Sequence, residues 1–274
     1  MFGLAVLFGV LVGFALGLTG GGGGIFAVPL LVYGLAVAPR EAVGISLASV
    51  GGTSLFGVLP RWAHGEVETR TGLLFAVAGM VGAPLGTYLS TLISETLLLV
   101  LFGGLMLVVA VRMWSKTRER EPVPGECAVG TSPEADRSAC QRDKDGQLRL
   151  NSRCARLLLL IGLVTGVLSG MFGVGGGFVI VPALVLFSGM EIHRAVGTSL
   201  LVIVLVSISG VTSYLVTGKE MSASITLQFL AGGFLGMWLG GLVAKRLGGR
   251  TLQRVFSVAV VLVAMFVISK SLFL

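Results

Sequence analysis

Long apolar blocks are the feature of this sequence that most limits what it can fold into. Ten of them cover nearly the whole chain outside one charged stretch, at residues 2–18, 25–37, 42–59, 70–90, 96–114, 155–172, 178–190, 195–216, 222–244 and 251–273. A hydrocarbon core about 30 Å thick needs roughly 20 apolar residues in a helix, and most of these blocks approach that length. The blocks lack the period-two alternation of a transmembrane barrel. The chain is therefore predicted to be an all-α polytopic membrane protein in contact with the lipid bilayer.

Charge is scarce and unevenly placed. Only 12% of the residues are charged, most of them between Arg112 and Arg156, whereas a soluble domain has roughly a quarter. The net charge of +7 comes from cations at block ends and in this mixed-sign stretch, which is where membrane topology places them. We therefore exclude nucleic acid as a partner. Cys127, Cys140 and Cys154 fit no zinc or redox spacing, so free thiols are expected.

The second half of the chain repeats the first at a shift of 153 positions. The match runs without a gap through the pairs Gly13/Gly166, Gly17/Gly170, Gly20/Gly173, Gly22/Gly175, Gly23/Gly176, Gly24/Gly177, Pro29/Pro182 and Ser46/Ser199. Self-similarity at a fixed shift indicates a duplicated unit. We therefore predict two homologous transmembrane repeats, residues 1–114 and 154–274, joined by a charged linker, residues 115–153.

A glycine-rich break separates the first two blocks of each half, at 20–24 and at 173–177. Glycine is about 1 kcal/mol worse than alanine in a helix, so a run of glycines ends it. Pro29 and Pro182 remove an N–H group just inside the block that follows. That block has 13 residues in each half, or about 20 Å of helix, which is short for a full span. Each half is thus predicted to contain a Gly-broken helical hairpin followed by three spanning helices.

Two topologies are compatible with this pattern, and the positions of Lys and Arg favour one. If the first two blocks of each half form one long broken span, the halves are parallel and the cations divide 14 to 6. If they form a re-entrant hairpin or two separate spans, the halves are inverted. The linker side then carries 17 cations, and the other side carries only Arg40, Lys219 and Lys270. Cytoplasmic loops carry the excess of cations. We therefore favour inverted repeats with a cytoplasmic linker and both termini outside.

The paired glycine breaks are the candidate functional site. Irregular backbone within hydrocarbon is tolerated only where it is buried in protein or lines a wet cavity, and matched broken helices in inverted halves are typical of transporter sites. The helix after each break presents N–H groups and a positive dipole end, which suit an anion. The candidate residues are Thr19, Gly20, Gly21, Gly22, Gly23, Gly24, Ser46, Ser54, Gly173, Gly175, Gly176, Gly177, Thr198, Ser199 and Ser207. For a single Ser or Thr, the alternative is a role in close helix packing.

Other chemistry finds little support in the sequence. No Asp, Glu or Lys lies in the middle of a block, which argues against a cation-binding proton relay. The glycine tracts contain a GxGxxG-like string without the preceding strand or the later acidic residue of a dinucleotide site. No metal-binding cluster and no nucleophile–base pair can be assembled. The chain is therefore not expected to be an enzyme or to bind a metal or cofactor.

The motifs resemble those of the sulfite exporter TauE/SafE family of membrane transporters. The resemblance rests on Gly22-Gly23-Gly24 followed by Pro29 and on 42–47 (AVGISL), and on their second copies, Gly175-Gly176-Gly177, Pro182 and 195–200 (AVGTSL). It covers both halves and excludes the linker. The second copy departs from the first where Thr198 replaces Ile45, which leaves open whether the two halves contribute equally to one site.

The resemblance implies a secondary transporter that exports sulfur-containing oxyanions, such as sulfite or organosulfonates, across the bacterial inner membrane by alternating access. Its expected partners are the small anionic solute, the lipid bilayer and, as an open option, a second copy in a homo-oligomer. Two other functions stay open from the sequence. A passive anion channel would conduct without saturating, and a non-transporting membrane scaffold would bind no oxyanion.

Overall fold

The computed structural model describes residues 2–118, 141–142, 148–149, 152–187, 190–218, 221–244, 260–267 and 269–270. The helices are α1 (Phe2–Thr19), α2 (Ala27–Pro29), α3 (Pro39–Ala63), α4 (Thr69–Leu92), α5 (Glu95–Arg118), α6 (Ser152–Phe172), α7 (Gly177–Phe187), α8 (Ile192–Val216) and α9 (Ala223–Ala244). A 3-10 helix, Gly22–Phe26, precedes α2, and a π-helix, Leu30–Gly34, follows it. Residues 260–267 are also helical.

Five of these helices are long and apolar enough to cross a membrane, namely Pro39–Ala63, Thr69–Leu92, Cys154–Phe172, His193–Val216 and Ala223–Ala244. Shorter apolar helices cover Gly3–Thr19, Gly22–Gly34 and Glu95–Val108. The prediction of an all-helical protein with several membrane spans is therefore confirmed. The observed helix ends lie close to the predicted block ends, except for the block at 251–273, much of which falls outside the described residues.

The chain reverses direction after α1. Gly20 has a φ of +73°, a conformation that glycine adopts at no steric cost, and it follows the last residue of α1. Gly23 then packs on the backbone at Leu16, and Gly34 packs on the ring of Phe8. Residues 22–34 therefore run back along α1 as a hairpin, and we call them the return segment.

The second half has a matching reversal after α6. Gly173, with a φ of +71°, follows Phe172, the last residue of α6. Gly176 lies beside Thr165 and Ser169 of α6, and α7 starts at the next residue. We call Gly20–Gly24 the first glycine turn and Gly173–Gly177 the second glycine turn.

Glycine faces let the outer helices approach closely. A Cβ on Gly9 or Gly17 of α1 would overlap the backbone of α9 at Phe229 or Met237, so these two helices touch and run in the same direction. Likewise, α4 and α6 run in the same direction, with Gly79 against Gly166. Small residues allow backbones to approach within a membrane, where apolar side chains gain nothing by leaving the lipid.

The opposite face of α4 carries large exposed apolar side chains. Leu73, Val77, Val81 and Leu85 recur at intervals of four residues and are each more than half exposed. Residues four apart lie on one side of a helix. This apolar stripe is the kind of surface that a helix presents to lipid, while the glycine face of α4 packs on α6.

Two central helices, α3 and α8, run antiparallel against each other. Gly44 of α3 packs on the ring of Tyr214, and Gly51 packs on Ser207. Toward the other end of α3, Gly57 lies next to Leu200. Positions that rise along α3 therefore meet positions that fall along α8. The Ser46 hydroxyl of α3 and the Ser199 hydroxyl of α8 reach the glycine turns.

Between the end of α5 and the start of α6, the structure describes the charged linker only at two short antiparallel strands, β1 (Gln141–Arg142) and β2 (Leu148–Arg149). Next to the linker, Cys154 is disulfide-bonded, so the expectation of a free thiol there was wrong. Sequence spacing excluded metal and redox motifs, but disulfide formation depends on how close two Cα atoms lie in space. Cys127 and Cys140 lie outside the described residues.

Candidate functional site

The two glycine turns touch each other between the halves of the molecule. A Cβ on Gly21 would lie 2.7 Å from the Cα atom of Gly177, and one on Gly177 would lie 2.6 Å from the Cα atom of Gly21. Gly24 likewise faces the carbonyl oxygen of Val174. No larger residue fits at Gly21 or Gly177 unless the turns separate. The structure thus brings together the two breaks that lie 153 positions apart in the sequence.

Two buried serines tie each turn to the other half. The Ser46 hydroxyl donates a hydrogen bond to the Gly173 carbonyl at 2.5 Å, and the Ser199 hydroxyl donates one to the Gly20 carbonyl at 2.6 Å. Both serines are fully buried. The bonds satisfy carbonyl groups that the helix breaks leave without their usual intrahelical donors. Because Ser46 and Ser199 match in the repeat, the two bonds are reciprocal.

Two further serines, on the central helices, have no hydrogen-bond partner among the described residues. Ser54 and Ser207 also match in the repeat, and each is buried with an unpaired Oγ atom. The Ser207 Oγ atom lies 3.9 Å from the position that a Cβ on Gly175 would occupy. An unpaired buried hydroxyl costs free energy unless something else binds it. Such groups suit a solute that enters and leaves.

Sequence reasoning missed a third unpaired hydroxyl, that of Ser169. This residue is 1% exposed, its Oγ atom has no partner among the described residues, and its Cβ atom lies 3.5 Å from a Cβ position on Gly176. The repeat hid it, because the matching residue of the first half is Leu16. A search for polar residues one turn before each glycine break would have found it.

Both predicted threonines are paired with protein groups instead. The Thr19 hydroxyl donates to the Ala15 carbonyl and accepts from the Gly22 N–H group, so it closes the first glycine turn. Thr198 accepts a hydrogen bond of 3.0 Å from the Glu68 N–H group, in the loop between α3 and α4. Thr198 therefore fastens a loop of the other half, and the structure does not direct its hydroxyl to the turns.

The side chains nearest to the turns are neutral. Val50 and Ile203, which match in the repeat, both contact the Cβ position of Gly175, and Ile203 also contacts that of Gly177. The Arg61 guanidinium donates a hydrogen bond of 3.4 Å to the Gly17 carbonyl, which lies about one helical turn before the first glycine turn. Within the described residues, no group of three or more His, Cys, Asp or Glu side chains could hold a metal ion. The turns therefore offer hydroxyl and backbone groups.

The site is closed in this structure. The polar pocket expected between the turns is not open, because Gly21 and Gly177 are in contact. A cavity beside them, lined by Val28, Pro39, Val43, Leu98, Leu99, Phe102 and Phe172, has a volume of about 10 Å³, enough for about one water molecule. Hydrogen bonds join the halves on both sides of the turns, from Glu68 to Thr198 and from the Ser222 N–H group to Glu41 at 3.1 Å.

Known proteins resemble the chain along nearly its whole length. A "Probable membrane transporter protein" of Xylella fastidiosa is 36% identical over 266 residues, which cover 96% of this chain and 93% of that protein. "Probable membrane transporter protein YunE" of Bacillus subtilis is 27% identical over 279 residues, 99% of both chains. A "Probable membrane transporter protein" of Haemophilus influenzae is 25% identical over 280 residues, 95% of this chain and 96% of the other.

No solved structure is significantly similar to the chain. The family model described as "Sulfite exporter TauE/SafE" matches residues 5–267, which include both glycine turns and all the serines described above. Together with the five membrane-spanning helices and the relatives named as membrane transporters, this match identifies a multi-pass membrane protein. The chain belongs to the sulfite exporter TauE/SafE family of membrane transporters.

Proposed function

We propose that this protein is a secondary transporter of small sulfur-containing oxyanions, such as sulfite or organosulfonates, and that it binds them where the two glycine turns meet. The single observation that carries the proposal is the contact of Gly21 with Gly177 between two reciprocal serine–carbonyl hydrogen bonds. Close helix packing needs single small residues, but it does not need two interrupted helices that meet in the membrane.

The chemistry around the turns favours an anion over a cation. Hydroxyl groups and free N–H groups at the start of a helix donate hydrogen bonds, and the helix dipole adds partial positive charge. A bound cation would instead need carboxylates or several carbonyl oxygens. An unpaired hydroxyl beside the turns, such as that of Ser207, can donate to oxyanion oxygens without burying a fixed charge. Sulfite is named from the family, whose members include sulfite exporters.

Inverted repeats and alternating access are parts of the same proposal. Antiparallel packing of α3 on α8, together with parallel packing of α1 on α9 and of α4 on α6, is the pattern that two inverted halves produce. Parallel halves would place α3 and α8 in the same direction. Because the halves are joined on both sides of the turns, we assign this structure to a closed state. Rocking of one repeat against the other would then expose the turns to each side alternately.

The orientation follows from the count of cations. With inverted halves, the linker side carries 17 Lys and Arg residues and the other side carries Arg40, Lys219 and Lys270. The positive-inside rule then places the linker, residues 115–153, in the cytoplasm between repeats 1–114 and 154–274. The cell membrane of a bacterium, the inner one where there are two, is the proposed location, and export is the proposed direction.

Counterflow in proteoliposomes tests the proposal. Vesicles loaded with unlabelled sulfite or sulfoacetate and diluted into radiolabelled solute should accumulate label transiently, and the rate should saturate. A channel would instead give a current that follows the electrochemical gradient without saturation. A scaffold would give neither flux nor an oxyanion-dependent thermal shift in detergent. Either of these two results would contradict the proposal.

A further inference from the structure

We infer that the oxyanion site is asymmetric: the second glycine turn, together with Ser169 and Ser207, supplies the hydrogen-bond donors, while the first glycine turn serves as a packing element. The inference rests on the proposed function and deepens it. It answers a question that the repeat leaves open, namely whether the two halves contribute equally to one site.

The backbones of the two turns differ. Gly173, Gly175 and Gly176 all have φ near +70°, whereas in the first turn only Gly20 does. After the second turn the chain enters α7, which has 11 residues. The return segment of the first half instead consists of a 3-10 helix, one α turn and a π-helix, none longer than five residues. Of the two turns, only the second leads into a regular α-helix, and the first N–H groups of a helix lack intrahelical acceptors.

Two unpaired hydroxyls flank the second turn from different helices. Ser207 of α8 lies beside Gly175, and Ser169 of α6 lies beside Gly176. Both side chains are at least 98% buried, and neither Oγ atom has a partner among the described residues. Two buried donors, carried by two different helices beside one helix N-terminus, match the several oxygens of a sulfite or sulfonate group.

The space around the two turns also differs. A Cβ on Gly176 would have 3.3 Å to its nearest neighbour, the Thr165 carbonyl oxygen. At the matching position of the first half, a Cβ on Gly23 would overlap the α1 backbone at Leu16 and lie 2.6 Å from the Val12 carbonyl oxygen. The first turn is thus pressed onto its own helix, where an apolar leucine takes the place of Ser169. Gly176 is thus packed less tightly on α6 than Gly23 is on α1, and it has a serine side chain beside it.

Single serine substitutions test the asymmetry by sulfite counterflow. We expect Ser169→Ala and Ser207→Ala each to raise the half-saturating sulfite concentration about tenfold or more, since a hydrogen bond to a charged group contributes at least that factor. Ser54→Ala should raise it by less than about threefold. The matched control is Ser90→Ala in α4, which is also buried but donates to the Thr87 carbonyl of its own helix; its flux should equal that of the wild type.

The outcomes separate this inference from the function on which it rests. Wild-type protein without saturable sulfite flux would overturn the proposed function and the asymmetric site with it. Wild-type flux with equal losses for Ser54→Ala and Ser207→Ala, and no loss for Ser169→Ala, would overturn the asymmetry alone. Thermal unfolding in detergent shows whether the variants fold: Ser169→Ala and Ser207→Ala should keep the wild-type Tm, because neither hydroxyl has a partner among the described residues.

Discussion

At the scale of single residues, Ser46 and Ser199 have the same structural role. Each donates a hydrogen bond from a central helix to a carbonyl at the glycine turn of the other half. Removing either hydroxyl would leave a buried carbonyl without that donor, and lipid offers no water to replace it. These bonds therefore hold the two halves together at the point where the chain is most irregular.

We predict that Ser46→Ala and Ser199→Ala each lower the free energy of unfolding by about 1–3 kcal/mol, the cost of leaving a buried polar group unpaired. Thermal unfolding in detergent measures the effect. Ser54→Ala is the matched control for stability, since Ser54 is equally buried but its hydroxyl has no partner among the described residues. An equal loss of stability in all three variants would contradict the assignment of these bonds.

The sequence repeat predicted some residues of the site and gave no indication of others. The repeat pointed to Ser46, Ser199, Ser54 and Ser207, because each has a matching serine in the other half. Ser169 could not be found in this way, because its match is an apolar leucine. Which threonine hydroxyls reach the turns depends on tertiary contacts, and Thr198 binds the Glu68 backbone instead.

At the scale of elements, glycine decides which helices touch. Gly13 of α1 packs directly on Gly233 of α9, and Gly166 of α6 packs on Gly79 of α4. The same spacing of small residues recurs along all four helices. Helix association in lipid depends on such close backbone approach. The first pair therefore joins α1 to α9, the second joins α6 to α4, and both contacts link one half of the chain to the other.

We predict that Gly13→Ala destabilises the protein by about 1–3 kcal/mol, since the added methyl group would overlap the Gly233 backbone in a packed interface. Gly104→Ala in α5 is the control, because no described atom lies within 4 Å of the Cβ position there. This control should be neutral or stabilising through its higher helix propensity. The Tm values of Gly13→Ala and Gly104→Ala in detergent test this prediction, and equal values would contradict the packing of α1 on α9.

The sequence predicted the positions of the helices better than their local form. Apolar length and the glycine runs located both hairpins, because a helix cannot continue through consecutive glycines at low cost. The mixed 3-10, α and π character of residues 22–34 could not be predicted, since Pro29 and Pro182 stand at matching positions and α7 stays regular. The difference accompanies a difference in packing: a Cβ on Gly23 would lie 2.3 Å from the α1 backbone, whereas one on Gly176 would lie 3.3 Å from the α6 backbone.

At the scale of the whole molecule, the proposed inversion of the halves would place matching loops on opposite sides of the membrane. His64 follows α3, and Thr217, its match in the repeat, follows α8; both are exposed. Because α3 and α8 run antiparallel, the two loops lie at opposite ends of the pair. Parallel halves would place both residues on the same side.

We predict that a membrane-impermeant thiol reagent labels Thr217→Cys in intact bacterial spheroplasts and labels His64→Cys only after permeabilisation. The variants are made without the native cysteines 127, 140 and 154. The result would follow from a cytoplasmic linker and inverted repeats, since His64 shares the side of the linker. Labelling of both residues from one side would contradict the inverted topology.

The central claim is that an oxyanion occupies the meeting point of the two glycine turns, and substrate protection of a cysteine placed there tests it most directly. In the same cysteine-free protein, a small maleimide should modify Ser207→Cys slowly, as the site opens, and sulfoacetate should slow the reaction in proportion to its occupancy. His64→Cys, which is exposed, should react at one rate throughout. A Ser207→Cys rate that is the same at every sulfoacetate concentration, in a protein that still carries sulfoacetate, would contradict the claim.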